Sequence, residues 1–344
     1  MIYFNCDYNE GAHPAVLQRL VETNLEQSIG YGNDAYCDAA RELIQQKCQQ
    51  PEAYVQFLVG GTQANLTVIA SILRPHQGVL CADSGHINVH ETGSIEATGH
   101  KVLALPATDG KVTAKQVRDA VLDHWRDGSF EHMVQPGMVY ISFSTETGTL
   151  YSKKELTDLY EAWQEMNIPL FIDGARLGYG LTAPENDLTL PELAALCDVF
   201  TIGGTKCGAL FGEAVVITNR KYQRDFRYII KQRGGMLAKG RLLGLQFCAL
   251  MENDLYFEIC SKAVQQALAI REAMLAKGFA LFADAPANQQ FFTLPNAALK
   301  KLEEKYVLEH MGAADHGHTN VRVCTSWATT DENVNAFIAD VAAL

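Results

Sequence analysis

Three short stretches of this chain combine residue types that an ordinary solvated loop has no use for. Lys206 stands in Gly203-Gly204-Thr205-Lys206-Cys207-Gly208-Ala209, hemmed in by small residues just after the apolar run 199–202. Most lysines are solvated, and burial among Gly and Ala lowers an amine's pKa. That favours the neutral nucleophile which forms an imine with a carbonyl compound. Asp173, in Asp173-Gly174-Ala175-Arg176, follows the apolar run 169–172. A carboxylate there needs a cation or a donor. A salt bridge, with Arg176 itself among the partners, or a helix cap would account for it. So would a partner that keeps a pyridine nitrogen protonated. Gly60-Gly61-Thr62-Gln63-Ala64-Asn65 follows the run 54–59 and opens a helix. Its glycines, free N–H groups and Thr62 hydroxyl suit a phosphate, and an ordinary turn with Thr62 as N-cap has the same pattern. It matches neither G-x-x-x-x-G-K-[ST] nor G-x-G-x-x-G.

A phosphate turn, a carboxylate at one strand end and a lysine at the next supply the three attachments of pyridoxal 5'-phosphate. They serve its phosphate, its ring nitrogen and its carbonyl carbon. The elements between them must then bring all three turns to one edge of one sheet. Open α/β sheets bind ligands beyond the carboxyl ends of their strands.

Those elements are legible. Apolar, β-branched runs at 54–59, 79–82, 101–105, 138–143, 169–172, 199–202 and 214–217 alternate with helical patterns at 64–73, 114–125, 153–166 and 190–196. The alternation predicts an α/β fold with a mostly parallel seven-stranded sheet and helices on both faces. Further on, 237–255 and 257–277 read as long helices and 288–294 and 320–324 as strands. Residues 331–344 read as a closing helix capped by Thr330 or Asp331. The expected division is a large domain over 1–245, N-terminal segment included, and a smaller α+β domain over 246–344.

The 344 residues are 48% hydrophobic and 20% charged, which places the chain among soluble globular proteins. A net charge of −12 argues against nucleic acid or an anionic membrane as the main partner. The nine cysteines are scattered, odd in number and never form C-x-x-C, so neither a disulfide framework nor structural zinc is expected. Reduced thiols fit a reducing compartment. MIYFNCDYNEGAHPAV lacks a basic n-region and a continuous apolar h-region, and no apolar stretch is long enough to span a membrane. The cytoplasm is the expected location. His316-Gly317-His318 lies among small polar residues and reads as a solvated loop, and no metal is expected.

These residues, in this order, resemble the fold-type-I pyridoxal-phosphate enzymes, above all the threonine aldolase and β-eliminating lyase family. Gly32-Asn33-Asp34-Ala35-Tyr36-Cys37-Asp38 is similar to that family's G-D-D-x-Y-G-D-D, and Gly61-Thr62-Gln63-Ala64-Asn65 to its G-T-x-A-N phosphate turn. His86 occupies the place of the histidine that stacks on the cofactor ring. Asp173-Gly174-Ala175-Arg176 matches D-G-A-R, and Thr205-Lys206 matches the cofactor lysine. Val321-Arg322-Val323 is similar to the strand whose arginine grips a substrate α-carboxylate. There are departures. Where many members have N-T-H, this chain has Ser144-Thr145-Glu146-Thr147, so a second histidine is absent and Glu146 stands near its place. Leu237 replaces the arginine of G-G-G-M-R-Q, which leaves Lys231, Arg233 or Lys239 for a phosphate contact.

The resemblance implies retro-aldol cleavage of β-hydroxy-α-amino acids, L-threonine and L-allo-threonine giving glycine and acetaldehyde, as in a bacterial low-specificity subgroup. Gly61, Thr62, Gln63, His86, Asp173, Arg176 and Lys206 would bind the cofactor. Arg176, Arg322 and Tyr36 would meet the substrate. Arg176 has a second possible partner in the cofactor's phenolic oxygen, His86 is either a base or a stacking ring, and Tyr36 either lines the pocket or belongs to the core. The rival activities are β-elimination, transamination or racemisation on the same cofactor, and the non-enzymatic rival is an α/β binding protein. The resemblance also implies a homodimer or homotetramer with shared sites.

Overall fold

The structure is a computed structural model that describes residues 1–344. The chain opens with β1 (Ile2–Tyr3), α1 (Pro14–Glu22) and α2 (Ala35–Cys48). Pro14 at the first turn and the His13 ring, which accepts from the Ala15 N–H, start α1. Asp34 caps α2 by accepting from the Cys37 N–H at 2.9 Å.

The seven expected runs form one sheet: β2 (Tyr54–Leu58), β3 (Gln77–Ala82), β4 (Val102–Leu105), β5 (Gln135–Ser142), β6 (Leu170–Asp173), β7 (Val199–Gly203) and β8 (Glu213–Ile217). The strand order is β2-β8-β7-β6-β5-β3-β4. β8 runs antiparallel to both its neighbours and the other pairs are parallel. Side chains alternate between two apolar layers. Ile141, Ile172, Phe200 and Val216 enter one, and Tyr140, Phe171, Val199 and Val215 the other.

The helices between the strands are α3 (Gly61–Ile72), the one-turn α4 (His86–Val89), α5 (Ala114–Arg126), α6 (Lys153–Met166), the short α7 (Leu177–Leu181) and α8 (Leu190–Ala195). Capping boxes at Thr113–Gln116, Ser152–Glu155 and Thr189–Glu192 set where α5, α6 and α8 begin. Because α3 begins at Gly61, the glycine turn is the helix's own first turn.

Beyond β8 come α9 (Phe226–Gln232), α10 (Arg241–Met251) and α11 (Leu255–Ala276). The single helix expected over 237–255 is therefore shorter at both ends. Asn253 and Asp254, residues that tolerate the left-handed region, adopt φ 52° and 59° and break it from α11. At its start Gly240 packs on Gly32, where an added Cβ would lie 2.4 Å from the Gly32 nitrogen. The remaining elements are β9 (Ala280–Ala283), β10 (Gln289–Pro295), α12 (Asn296–Leu302), β11 (Tyr306–Val307), β12 (Glu309–Ala313), β13 (His318–Cys324) and α13 (Asp331–Ala343), which Thr330 caps. β12-β13-β10-β9 form an antiparallel sheet, and β11 pairs in parallel with β1. β12 has no apolar run, whereas β9 is the apolar run Ala280-Leu281-Phe282-Ala283 with exposed or half-buried residues; neither is among the strands expected from the sequence.

One close approach brings the strand ends together. Gly174 donates to Thr201 Oγ1 at 2.8 Å and its carbonyl accepts from the Gly203 N–H at 2.9 Å. A Cβ at Gly174 would stand 1.9 Å from the Thr201 carbonyl oxygen. Gly174→Ala is expected to cost about 3 kcal/mol or more, because backbone must separate to admit the methyl. Urea denaturation checks this, and a midpoint equal to the parent's would contradict it.

Candidate active site

Asp173 ends β6 on the face that carries Tyr140 and Phe171, and it is buried. One oxygen, Oδ2, accepts from the Tyr140 hydroxyl at 2.6 Å and from Asn65 Nδ2 at 2.9 Å. The other, Oδ1, accepts from the Ala175 N–H at 2.9 Å. The carboxylate is thus aimed by neutral donors. It makes no salt bridge with Arg176, one of the partners the sequence had offered. Arg176 turns to Asp7, with Nε–Oδ2 at 2.7 Å and Nη2–Oδ1 at 3.0 Å, and Asn288 Nδ2 donates to the same Asp7 oxygen at 3.0 Å. Sequence could not find Asp7, since nothing local marks it. Burial pushes Asp7 up, but the Arg176 and Lys206 charges outweigh it and hold the carboxyl at about 2.

Lys206 lies in the turn that leaves β7, half-buried, with a carbonyl that accepts from the Tyr179 hydroxyl at 2.6 Å. Its amine has no hydrogen-bond or ion-pair partner in the chain. Burial pushes that amine's pKa down and the Arg176 charge adds to the effect, while Asp7, Asp173 and Glu213 draw it back. Glu213, opposite Gly203 in the β7–β8 register, is a buried acid with Oε2 unpartnered. Burial raises it to about 8, and Lys206 only partly offsets this.

The glycine turn is open. Gly60 is the N-cap of α3 and gives no side-chain cap, so Thr62 is not the cap; its side chain is exposed and makes no hydrogen bond. An added Cβ at Gly60 or Gly61 would meet nothing within 4 Å. With no side-chain cap, the N–H groups of the first turn stand uncapped at the positive end of the helix, as a phosphate requires. Gln63 is engaged elsewhere: Oε1 accepts from the Val59 N–H at 3.2 Å and Nε2 donates to the Arg233 carbonyl at 3.4 Å. That bond draws Arg233 beside the turn, where its buried Nε has no partner.

His86 opens α4. Its Nδ1 lies 2.8 Å from Glu91 Oε1, which also accepts from Asn65 Nδ2 at 2.8 Å. The Asn65 amide therefore spans two carboxylates, Asp173 and Glu91. Ser94 Oγ donates to the second Glu91 oxygen at 2.8 Å, and the Glu91 side chain is wholly buried. Glu146 Oε1 accepts from the His86 backbone N–H at 2.8 Å and from Ser142 Oγ at 2.6 Å. Glu146 therefore anchors α4 and does not act as a free side chain, and burial raises its pKa. The spacings Thr62-x-x-Asn65 and His86-x-x-x-x-Glu91 were readable, but only the fold assigns these residues a network.

Arg322, on β13, donates from Nη1 to Gln289 Oε1 at 3.2 Å and from Nη2 to the Asn5 carbonyl at 2.7 Å, and its buried Nε is unpartnered. The Tyr36 hydroxyl donates to Glu26, and the side chain makes no hydrogen bond to Lys206, Asp173 or Arg322. His318 is on β13, not in a loop, and pairs with Asp315 at 2.9 Å. No group of three potential metal ligands occurs.

The Asp7 pair predicts a pH dependence. Its folded pKa, about 2, lies below its ordinary value of 3.8, so the stabilisation is complete above pH 4 and is lost as pH falls toward 2. It amounts to about 2–3 kcal/mol. In Asp7→Asn that acid-limb loss is expected to vanish, and stability at pH 7 to fall by about 3–5 kcal/mol because Arg176 stays buried without a counter-charge. Denaturation at pH 2.5, 4 and 7 tests both, and an Asn variant as stable as the parent at pH 7 would refute the pair's role.

Comparison with known proteins gives the family and the fold. The family model described as β-eliminating lyase matches residues 7–319. The chain is 40% identical to a solved threonine aldolase from Leishmania major, covering 100% of this chain and 99% of that one with a TM-score of 0.97. It is 27% identical to the low specificity L-threonine aldolase of Pseudomonas aeruginosa over 98% of this chain and 96% of that protein. Aspartate aminotransferase from Thermus thermophilus, 14% identical with a TM-score of 0.71 over 100% of this chain and 92% of the other, shares the fold. The fold is that of the fold-type-I pyridoxal-phosphate enzymes, and the chain belongs to the β-eliminating lyase family.

Proposed function

We propose that the chain holds pyridoxal 5'-phosphate at Lys206 and cleaves L-threonine and L-allo-threonine to glycine and acetaldehyde. The observation that carries the reading is one sheet edge bearing a partnerless lysine amine, an oriented carboxylate and an open helix N-terminus. The names of the relatives at 40% and 27% identity support the substrate class. When bound, the cofactor supplies a protonated pyridine ring able to accept the electron pair of a breaking bond at Cα.

The chain's own groups have separate tasks. Asp173, with its oxygens fixed by Asn65, Tyr140 and the Ala175 N–H, would hold the proton on the ring nitrogen. The first turn of α3, Gly61 to Gln63, would take the phosphate through backbone N–H groups and the Thr62 hydroxyl, with Arg233 as the cation beside it. Arg322 would offer its free Nε to the substrate carboxylate, and Arg176, held by Asp7, keeps Nη1 for the cofactor or that carboxylate. His86 is pinned through Nδ1 to Glu91, which suits a ring platform against which the cofactor stacks. Incubation with L-threonine, L-allo-threonine and phenylserine should yield glycine and the matching aldehyde. Lys206→Ala should lose both the visible lysine-linked absorbance and turnover. Ammonia and a keto acid as products would instead mark an eliminating enzyme, and a yellow, borohydride-reducible Lys206→Ala protein would refute the lysine assignment.

We further propose a homodimer or homotetramer with shared sites. Val21, Leu25 and Ile29 of the N-terminal segment and Tyr228 of α9 are 76, 93, 70 and 77% exposed, a large apolar area for a free surface. Tyr36, whose hydroxyl donates to Glu26 and not to any group around its own chain's Lys206, would then serve a neighbour's site. Sedimentation velocity should show a dimer or larger, and a monomer at micromolar concentration would exclude shared sites. All nine cysteines are free and buried, which supports a cytoplasmic location, and no helix is long and apolar enough to cross a membrane.

A further inference from the structure

The site lacks a histidine after β5, and Glu146 in that place spends its carboxylate on the start of α4. Another histidine stands close by. His90 caps the C-terminal end of α4, one turn beyond His86, with its N–H donating to the His86 carbonyl at 2.9 Å. Residues four apart share a helix face, and the two ring centroids are 5.6 Å apart with planes inclined by 54°. The rings differ in one respect. His86 is tied through Nδ1 to the buried Glu91, whereas the His90 ring makes no hydrogen bond or ion pair within the chain. His90 is exposed on its outer side, so a proton it takes up can pass to water.

His90 also lies within electrostatic reach of Arg322, on the C-terminal sheet. Partial desolvation, then the His86 ring, then the Arg322 charge push its pKa down. The neutral ring, with a lone pair to accept a proton, is therefore the form present near neutral pH. The His90 ring thus neighbours the ring that would lie over the cofactor and feels the charge of the arginine with a free Nε.

We propose that His90 is a catalytic residue, the base that takes the proton from the substrate's β-hydroxyl, while His86 remains a fixed platform. The proposal rests on the aldolase reading above. In the step, the O–H bond breaks, its proton passes to a His90 ring nitrogen, and its electron pair becomes the second C–O bond of the aldehyde. The Cα–Cβ bond breaks at the same time and its pair stays with the amino-acid fragment. A proton delivered to Cα then completes glycine. Threonine is thereby divided into acetaldehyde and glycine with no oxidant or reductant consumed.

The test uses the holoenzyme and its His90→Asn, His90→Ala and His86→Asn variants. In both His90 variants, kcat for L-threonine cleavage should fall about 100-fold or more. L-Alanine has no hydroxyl, and its affinity, read from the absorbance change of the bound cofactor, should match the parent's. Cleavage in both His90 variants within about threefold of the parent, a change too small for a lost general base, overturns the proposal. So does a parallel loss of L-alanine affinity, which would mark His90 as structural. Loss of turnover in His86→Asn with turnover kept in the His90 variants assigns the proton to His86 instead and also overturns it. A parent that carries the chromophore but releases no glycine from threonine fails the aldolase reading itself, and this is seen before any variant is compared.

Discussion

The buried pair Asp7–Arg176 joins three parts of the chain that are distant in sequence. Asp7 belongs to the N-terminal segment, Arg176 leaves the end of β6, and Asn288, which donates to Asp7, enters β10 of the small sheet. Breaking such a pair strands a charge in a medium that solvates it poorly, so the three segments hold one another in register. The pair also tunes the site. A guanidinium locked beside Lys206 raises the free energy of the charged amine, and the Asp7 carboxylate limits that effect. Nucleophile and scaffold thus share one electrostatic arrangement.

A second arrangement runs across the same face of the sheet. Asn65 places its two N–H groups on Asp173 and Glu91, and Glu91 in turn holds His86. The group aimed at a ring nitrogen and the ring that would lie over the cofactor are therefore set by one side chain from α3. Buried hydrogen-bond networks of this sort are costly when incomplete, because each orphaned polar group bears its full desolvation penalty. Three of the orphaned polar atoms bear on function. Arg233 Nε, Arg322 Nε and Glu213 Oε2 are buried without partners at or near the places where a phosphate, a carboxylate and the Lys206 turn come together.

Much of the fold could be read beforehand wherever local signals were strong. Helix α6 matched its expected span, because Ser152 and Glu155 form a capping box ahead of an amphipathic run. The seven strands of the large sheet were legible as continuous apolar runs, the mark of strands buried on both faces. β12, mostly exposed in the antiparallel sheet, breaks that pattern, whereas β9 is itself an apolar run, Ala280-Leu281-Phe282-Ala283, and is not among the expected strands. The long helix over 237–255 was drawn too far, since the Gly240–Gly32 contact and the left-handed Asn253 and Asp254 lie outside what periodicity can report.

The sequence by itself determined that Lys206, Asp173 and the Gly60–Gly61 turn would each follow a strand, because strand, turn and small-residue signals are local. It also determined their order, and so the kind of cofactor they suit. Only the tertiary structure decided which charges pair. Arg176 left the neighbouring Asp173 for Asp7, Glu146 became an anchor for α4, and His90 came to stand beside His86 and within reach of Arg322. The reason is physical: the energy of a charge in a protein interior depends on its burial and on partners far along the chain, and neither is encoded in local spacing.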